Sequence, residues 1–341
     1  MASSTAERLV HPSLLVLLAD GRLRSGQDLA AELGVSRAAI WKAVERLRAH
    51  EIAISAEPRR GYRLARPVEL LDAGRMRAEL CANSQSALRS LELLFEVDST
   101  NTRLLQLGSP PYGQADACLS ELQSAGRGRR GRRWIAPFGS GLAMSLAWSF
   151  RDATRDLPTL SLAVGVAVTR ALARVGAHDI RLKWPNDLWL HDRKIGGVLL
   201  ELRAEAGGPG HVVIGVGLNV SLAPEARAAI EATDTPGVSV AAIADACENQ
   251  PSRNRIAGAT LDELLRMLTV FEQEGFAPFR EAWSALDALS GRAVRVLIGE
   301  RTLIGRARGI ELDGALCVEV DRSLQRFVSG EVSLRLEEAA T

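Results

Sequence analysis

Residues 124–141 read SAGRGRRGRRWIAPFGSG, and this stretch decides between two fold classes. Gly126, Gly128 and Gly131 have the G-x-G-x-x-G spacing of a dinucleotide-binding turn. In that fold the turn opens a helix whose N-terminus holds the pyrophosphate. Here Pro137 and two further glycines stand where the helix would be. The sequence therefore argues against a dinucleotide-binding fold.

The loop instead has the composition of an anion-binding segment. Its cations are five arginines, Arg127, Arg129, Arg130, Arg132 and Arg133. Guanidinium groups offer planar, multi-donor contacts to phosphate or carboxylate. The glycines allow such a loop to close over a ligand and exclude water. The alternative is a nuclear-localisation or RNA-binding stretch, which is less favoured because the loop lies between two predicted core strands.

The chain around the loop alternates predicted strands and helices over residues 67–286. Four apolar runs predict strands, at 116–122, 142–150, 194–202 and 211–220. Two longer segments, 157–177 and 261–276, have the sustained apolar face of a helix. This pattern predicts a mixed α/β domain of catalytic size.

Residues 1–66 predict a winged helix-turn-helix. Ser25 and Ser36 suit two helix N-caps, and Gly34 suits the stop between them. The short turn around GVS gives helix-turn-helix spacing. The segment IAISAEPRRGYRLA, residues 52–65, then predicts two short strands joined by a turn, which would form the wing.

The second helix of this pair predicts a DNA-binding face. We expect Ala39, Ile40, Val44 and Leu47 to face the core and Arg48 to point outward. We expect four outward residues to contact DNA, namely Ser36, Arg37, Trp41 and Lys42. Residues 36–63 carry seven Lys and Arg against three Glu, a local charge of +4, whereas the remaining residues sum to −3. The alternative is an amphipathic helical domain used for protein contacts.

Residues 287–341 are a run of short predicted strands separated by turns, which favours a small barrel. The four cysteines include no C-x-x-C pair and the five histidines are scattered, so we expect neither a disulfide framework nor a zinc site. No apolar run approaches a membrane span of roughly 20 residues, and residues 1–10 lack a signal-peptide pattern. We therefore expect a cytoplasmic protein.

Three further motifs carry polar groups suited to a small ligand. DSTN, residues 98–101, places hydroxyl and amide groups at a predicted helix start, although a plain N-cap explains it equally well. In the stretch 181–201, Lys194 precedes two glycines that would let a ligand approach the backbone, but such a lysine is usually a solvated charge. GVGLNV, residues 215–220, ends near Asn219, and its glycines fit a ligand or tight strand packing.

Taken in order, STN, QSAGRGRRGRRW, KWPNDLW, RKIGGVLLE and GVGLNV resemble the family of bifunctional biotin-protein ligases and biotin-operon repressors. The resemblance extends from about residue 12 to residue 336. It implies a multidomain α+β protein with a winged helix-turn-helix at 1–66, a mixed α/β biotin-ligase domain at 67–286 and an SH3-like β-barrel at 287–341.

The resemblance also implies the activity. Biotin and ATP, with Mg²⁺, would form biotinyl-5′-adenylate, from which biotin passes to a lysine of the biotin carboxyl carrier protein of acetyl-CoA carboxylase. The adenylate-bound homodimer would bind operator DNA and repress biotin synthesis genes, with no membrane involved. Two alternatives remain open, a lipoate- or octanoate-protein ligase and a repressor that senses biotin without catalysis.

The resemblance assigns roles by position. The implied biotin-binding residues are Ser99, Thr100, Asn101, Gln123, Arg127, Gly128, Arg129, Lys194 and Gly197. The implied catalytic residues are Lys194, Arg129 and Arg132, and the nucleotide-binding residues are Arg132, Trp134 and Asn219. Asp187 is the candidate magnesium ligand. One departure concerns the loop 222–240, which has no tryptophan to cover adenine and places Val238 roughly there.

Overall fold

The protein is described here by a computed structural model covering residues 12–151, 157–203, 210–233, 239–249, 251–328 and 332–336. The chain divides into two compact units. The first comprises Met1–Asp72 with Pro137–Gly139, and the second comprises Ala73–Ala136 with Ser140–Thr341.

The first unit has the predicted helix-turn-helix and wing. A helix at 12–18 (α1) precedes α2, Gly26–Glu32, and α3, Arg37–Ala49. The Oγ atom of Ser25 accepts a hydrogen bond from the Asp28 amide at 3.0 Å, which caps α2. The wing is an antiparallel pair, β1 (Ile54–Glu57) and β2 (Gly61–Leu64).

The second unit contains a seven-stranded sheet with surrounding helices. Its strands are β3 (Leu88–Val97), β4 (Ala115–Gln123), β5 (Gly141–Ser149), β6 (Ile180–Lys183), β7 (Asp187–Leu190), β8 (Arg193–Arg203) and β9 (His211–Asn219). Its helices are α4 (Ala73–Ala78), α5 (Ala82–Ala87), α6 (Thr100–Leu107), α7 (Leu160–Arg174), α8 (Pro224–Thr233), α9 (Arg253–Glu274) and α10 (Ala277–Leu286). This agrees with the predicted mixed α/β domain.

The strand order is β3-β4-β5-β9-β8-β7-β6, and only the β3–β4 pair is parallel. A parallel pair needs a crossover connection, and α6 provides it. Val97 at the end of β3 pairs with Gln123 at the end of β4. The start of α6 therefore lies beside the end of β4, which brings two distant motifs together.

Helix α6 is fixed to the sheet by a small apolar cluster. Leu104 packs with Cys118 of β4, Ala147 of β5 and Val213 of β9, all of them buried. Burial raises the pKa of the Cys118 thiol to about 12, so this cysteine packs as an apolar group. The cluster holds the first turn of α6 in a fixed position over the sheet.

One segment, Leu157–Arg174, is long and apolar enough to cross a membrane by length and composition. Eleven residues of α7 within it are buried in the domain. The helix packs against α9 and α10. Packing in the core accounts for its composition, so the segment carries no evidence for a membrane.

The C-terminal strands form a sheet ordered β13-β12-β11-β10-β14, with every neighbouring pair antiparallel. The strands are β10 (Ala293–Ile298), β11 (Arg301–Ile310), β12 (Leu316–Val320), β13 (Ser323–Phe327) and β14 (Val332–Leu336). The described strands include no β13–β14 pairing, so the sheet is not a closed barrel. The SH3-like barrel remains a prediction.

Candidate active site and nucleic-acid interface

A cleft in the second unit brings together most of the predicted ligand-binding residues. It encloses about 630 Å³, a volume that includes the open space at its mouth. The predicted residues that line it are Ser99, Thr100, Asn101, Gln123, Arg127, Gly128, Arg129, Arg132, Trp134, Asp187, Lys194 and Gly197. Four segments of the sequence, 99–101, 123–134, 187 and 194–197, thus meet at one site.

One end of the cleft is a buried polar network at the start of α6. The Thr100 amide donates to Gln123 Oε1 at 2.9 Å, which joins the start of α6 to the end of β4. Ser145 Oγ, on β5, is hydrogen-bonded to Thr100 Oγ1 at 2.7 Å and to Asn101 Oδ1 at 2.5 Å. Ser99 makes no side-chain cap bond. The hydroxyl of Thr100 and the amide of Asn101 are therefore held in place by neighbouring side chains.

Two glycines of β9 explain how bulky side chains lie against this sheet. A Cβ atom at Gly215 would fall 2.4 Å from Asn101 Oδ1, and one at Gly217 would fall 2.5 Å from Trp134 Cε2. Glycine is therefore required at both positions for these side chains to keep their places. The Trp134 Nε1 atom is buried and has no hydrogen-bond partner among the described residues.

The arginine loop forms a short hairpin across the cleft. Arg127 and Arg133 form an antiparallel bridge around a 3₁₀ turn, Arg129–Gly131, and the Gly128 amide donates to the Arg132 carbonyl at 2.8 Å. No helix occurs at 132–140. This confirms the sequence argument against a dinucleotide-binding turn, because no helix N-terminus is present to hold pyrophosphate.

The other end of the cleft is dominated by positive charge. Lys194 Nζ lies 2.9 Å from Asp187 Oδ1, and both side chains are largely buried. Burial opposes ionisation of Asp187, but the charges of Lys194 and Lys183 outweigh it and hold its pKa below the usual value. Arg129 and Arg132 line the same region, so cations outnumber the single carboxylate. Such a site attracts anions.

Arg129 is positioned by Asn186, a residue that the sequence analysis did not single out. Its Nη1 donates to Asn186 Oδ1 at 3.1 Å, and Asn186 Nδ2 donates to the Val198 carbonyl of β8 at 2.6 Å. Burial, followed by the neighbouring charge of Arg130, lowers the pKa of Arg129. Asn186 lies in the KWPNDLW motif, but its link to the loop depends on the fold.

One predicted nucleotide-binding residue lies outside the lining of the cleft. Asn219 does not line it, and its Nδ2 donates to the Ala241 carbonyl at 3.2 Å. Val238 lies outside the described residues. In the described part of the chain, no group of three His, Cys, Asp or Glu side chains is arranged to hold a metal ion.

The candidate DNA-binding face lies on α3 of the first unit. Ser36 Oγ caps this helix by accepting from the Ala39 amide at 3.2 Å, and Arg37, Trp41 and Lys42 are exposed, Trp41 by 56%. Arg48, which was expected to point outward, is half-exposed and also reaches the wing. Its Nε and Nη2 donate to the Ile54 carbonyl at 3.1 and 2.8 Å, which ties α3 to the wing.

The packing of α3 corrects its predicted core face. Ile40, Val44 and Leu47 are buried as expected, but the fourth buried residue is Ala43, whereas Ala39 is half-buried. Ala43 lies three residues after Ile40 and four before Leu47, so it falls on the same helix face. The exposed face is therefore left to the polar residues and Trp41.

Comparison with protein-family models gives three matches along the chain. Residues 13–63 match a helix-turn-helix domain, residues 94–219 match the biotin/lipoate A/B protein ligase family, and residues 289–335 match the biotin protein ligase C-terminal domain. The fold and the cleft therefore define a protein ligase of the biotin/lipoate class joined to a helix-turn-helix domain.

Near-full-length relatives identify the family. The chain is 38% identical to the bifunctional ligase/repressor BirA of Escherichia coli strain K12, over 97% of this chain and 99% of that protein. It is 37% identical to BirA of Salmonella typhimurium, over 96% and 98%. The chain belongs to the family of bifunctional ligase/repressors named BirA.

A solved structure supports the assignment of the second unit. The biotin protein ligase from Aquifex aeolicus, in complex with biotin and ATP, matches with a TM-score of 0.60 and 26% identity. The match covers 73% of this chain and 100% of that one.

Proposed function

We propose that this protein is an ATP-dependent biotin-protein ligase that also represses transcription in response to biotin. The ligase activity is supported by the cleft. A polar network lies at one end of this cleft, and a cluster of cations lies at the other end. A ligand with a neutral polar head and a carboxylate tail fits that division. Biotin has a ureido head and a carboxylate, and so meets both requirements.

The first step would join two anions, the biotin carboxylate and the α-phosphate of ATP. Ser99, Thr100, Asn101 and Gln123 would hold the ureido head and ring, while the loop backbone at Gly128 and the strand at Gly197 would let the ligand lie close. Lys194 and Arg129 would face the carboxylate, and Arg132 the phosphate. Fixed cations stabilise charge that develops during the attack, because they need no reorganisation when the reaction occurs.

The products of this step are biotinyl-5′-adenylate and pyrophosphate. Arg127 would help to keep the loop closed over the adenylate, and Trp134 and Asn219 would lie near the nucleotide. Asn219 has its amide bonded to Ala241, so its contribution would come from supporting that wall of the site. Excluding water protects the mixed anhydride from hydrolysis.

Asp187 is our candidate ligand for Mg²⁺. It supplies one carboxylate, with Oδ1 already bonded to Lys194. One carboxylate suits an ion held mainly by substrate phosphates and water, whereas a dedicated protein cage would need more. Mg²⁺ bound with ATP would neutralise phosphate charge next to the cations described above.

In the second step, the amine of a carrier lysine would attack the biotinyl carbonyl and AMP would leave. No protein nucleophile is needed, because the adenylate is already activated. The cations that stabilised the first step would also stabilise AMP as it departs. We propose the biotin carboxyl carrier protein of acetyl-CoA carboxylase as the acceptor.

The transfer itself tests the ligase half. Labelled biotin, ATP and a purified biotin carboxyl carrier domain should give labelled carrier, and a carrier with its acceptor lysine changed to arginine should stay unlabelled. Lipoate and octanoate in place of biotin test the alternative substrates. Transfer of lipoate at the rate of biotin, or no transfer of biotin, contradicts the proposal.

For the repressor half, we propose that Ser36, Arg37, Trp41 and Lys42 contact operator DNA of biotin synthesis genes. A single winged helix with a local charge of +4 should bind DNA weakly at physiological salt, so we expect two copies to be needed for a specific site. We infer that the adenylate favours a homodimer, and that operator DNA in turn favours adenylate binding.

Sedimentation tests this linkage. The protein should be mostly monomeric alone and more dimeric with biotinyl-adenylate, and carrier protein that consumes the adenylate should reverse the change. DNA affinity that is independent of biotin and ATP would contradict the repressor half and leave the ligase half standing.

The finer architecture belongs to the same proposal. We assign residues 1–66 to the winged helix, 67–286 to the ligase domain and 287–341 to a C-terminal SH3-like barrel domain. We place the protein in the cytoplasm, where biotin, ATP, the carrier and the operator would all be accessible.

A further inference from the structure

Glu201, near the end of β8, joins two parts of the site that lie about 75 to 100 residues away in the chain. Its Oε1 forms an ion pair with Arg127 Nη1 at 2.9 Å. Its Oε2 accepts a hydrogen bond from Asn101 Nδ2, also at 2.9 Å. Glu201 does not line the cleft, and the residues implied by the family resemblance do not include it.

Toward α6, Glu201 fixes the orientation of the Asn101 amide. An ionised carboxylate only accepts hydrogen bonds, so it must face the NH₂ end of the amide. The opposite end, Oδ1, is bonded to Ser145 Oγ at 2.5 Å. Reversing the amide would place two acceptors together at Glu201. The carboxylate thus determines which polar atoms Asn101 offers to the cleft.

Toward the loop, Glu201 holds Arg127 beside the sheet. The Glu201 side chain is 19% exposed and the Arg127 side chain 48%. Ion pairs with this much exposure stabilise a conformation only weakly, by a factor of about two to five. Such a pair favours the closed loop and still allows it to open for ligand entry and product release.

We propose that Glu201 is a positioning residue that couples the arginine loop to the polar end of the cleft. One carboxylate orients Asn101 and holds Arg127, so removing its charge loosens the loop and no longer fixes the orientation of the Asn101 amide. Glu201 acts through these two residues and touches no ligand. The proposal rests on the proposed function only for the identity of the ligand.

The first test is hydrogen exchange on the full, ligand-free chain. The Gly128 and Trp134 amides are bonded within the loop, to the carbonyls of Arg132 and Gly126, and report its opening. Glu201→Gln keeps an acceptor for Asn101 but removes the charge facing Arg127. We expect about two- to fivefold faster exchange at these amides. Glu201→Asp, which restores the charge, should recover part of the protection.

The matched control is Glu92→Gln. Glu92 lies on β3 and forms a two-bond ion pair with Arg103 of α6, both bonds 2.8 Å, so it anchors the same helix without contacting the loop. This variant should leave exchange in 124–134 unchanged. In an Arg127→Gln background, Glu201→Gln should add no further loop exchange, because its partner is already absent.

The second test measures KM for biotin and for the carrier separately. Glu201→Gln should raise the KM for biotin about two- to fivefold and leave the KM for the carrier unchanged. Loop exchange equal to wild type, an equal effect of Glu92→Gln, or full additivity with Arg127→Gln would overturn the proposal. Since exchange is measured without biotin or ATP, failure of the coupling is distinguishable from failure of the ligase assignment.

Discussion

Replacing Lys194 with alanine should impair adenylate formation far more than biotin binding. The Nζ atom lies 2.9 Å from Asp187 Oδ1 in a largely buried site. The backbone amide of Lys194 donates to the Ser239 carbonyl, and its carbonyl accepts from the Ala241 amide. The strand should therefore keep its position without the side chain. The substitution therefore tests the effect of the ammonium group without a change in the backbone.

The magnitude follows from Coulomb energy. An ammonium about 4 Å from a developing charge is worth about 4 kcal/mol at the effective dielectric of a protein site, roughly a thousandfold in rate. Arg129 and Arg132 remain in the cleft and compensate in part, so we expect adenylation to fall about 100- to 1,000-fold. Biotin affinity should fall less than about tenfold, because the contacts to the ureido head remain.

The assay is single-turnover formation of biotinyl-adenylate at saturating biotin and ATP, with pyrophosphate release as a second readout. Arg193→Ala is the matched control, since Arg193 precedes Lys194 on the same strand and does not line the cleft. Single-turnover rates equal to wild type in Lys194→Ala would refute the reasoning.

Three other changes test different parts of the account. Arg129→Gly should release adenylate and increase biotinylation of unrelated lysines. The control Arg130→Asn should not do so, because Arg130 does not line the cleft and asparagine tolerates the φ of 58° at this position. If Arg129→Gly labels only the carrier, the proposed role of the loop is wrong. Arg37→Ala should abolish specific DNA binding and leave carrier biotinylation intact. Arg22→Ala is the control, because the Arg22 side chain is also exposed. Operator affinity equal to wild type for Arg37→Ala, measured by a binding titration, would rule out this contact. Burial raises the pKa of Asp287 to about 6. The protonated carboxyl therefore contributes fully to the stability of the fold below about pH 4, and this stability is lost as the pH rises through 6. Asp287→Asn should therefore raise the melting temperature relative to wild type more at pH 8 than at pH 5, and an equal shift at both would contradict the burial argument.

The arginine loop and the STN motif could be predicted from sequence because their chemistry is local. Five cations between glycines, or three short polar residues at a helix start, indicate anion and ligand binding wherever the chain places them. Pro137 and the glycines after the loop were enough to exclude a helix there. The fold then brought these segments to one cleft, which local patterns alone do not determine.

The residues missed by sequence reasoning reach the site through the sheet. Ser145 and Glu201 lie inside strands, and their contacts depend on which strands are neighbours. Strand β3 was missed because most of its residues are half-buried, so its sequence LRSLELLFEV shows no clear alternation. The hydrogen bond from Asn219 Nδ2 to the Ala241 carbonyl could not be predicted either, because the position of Ala241 follows from the loop after β9, and a place for Asn219 near the nucleotide stays a prediction.

The central claim is that the carboxylate of biotin attacks the α-phosphate of ATP in this cleft. The most direct test is a single turnover with biotin labelled with oxygen-18 in both carboxylate oxygens, carrier protein and unlabelled ATP, followed by mass spectrometry of the nucleotide product. The bridging oxygen of the mixed anhydride leaves with AMP when the carrier amine attacks the carbonyl, so the account predicts one labelled oxygen in each AMP. Unlabelled AMP, or ADP as the nucleotide product, would contradict it.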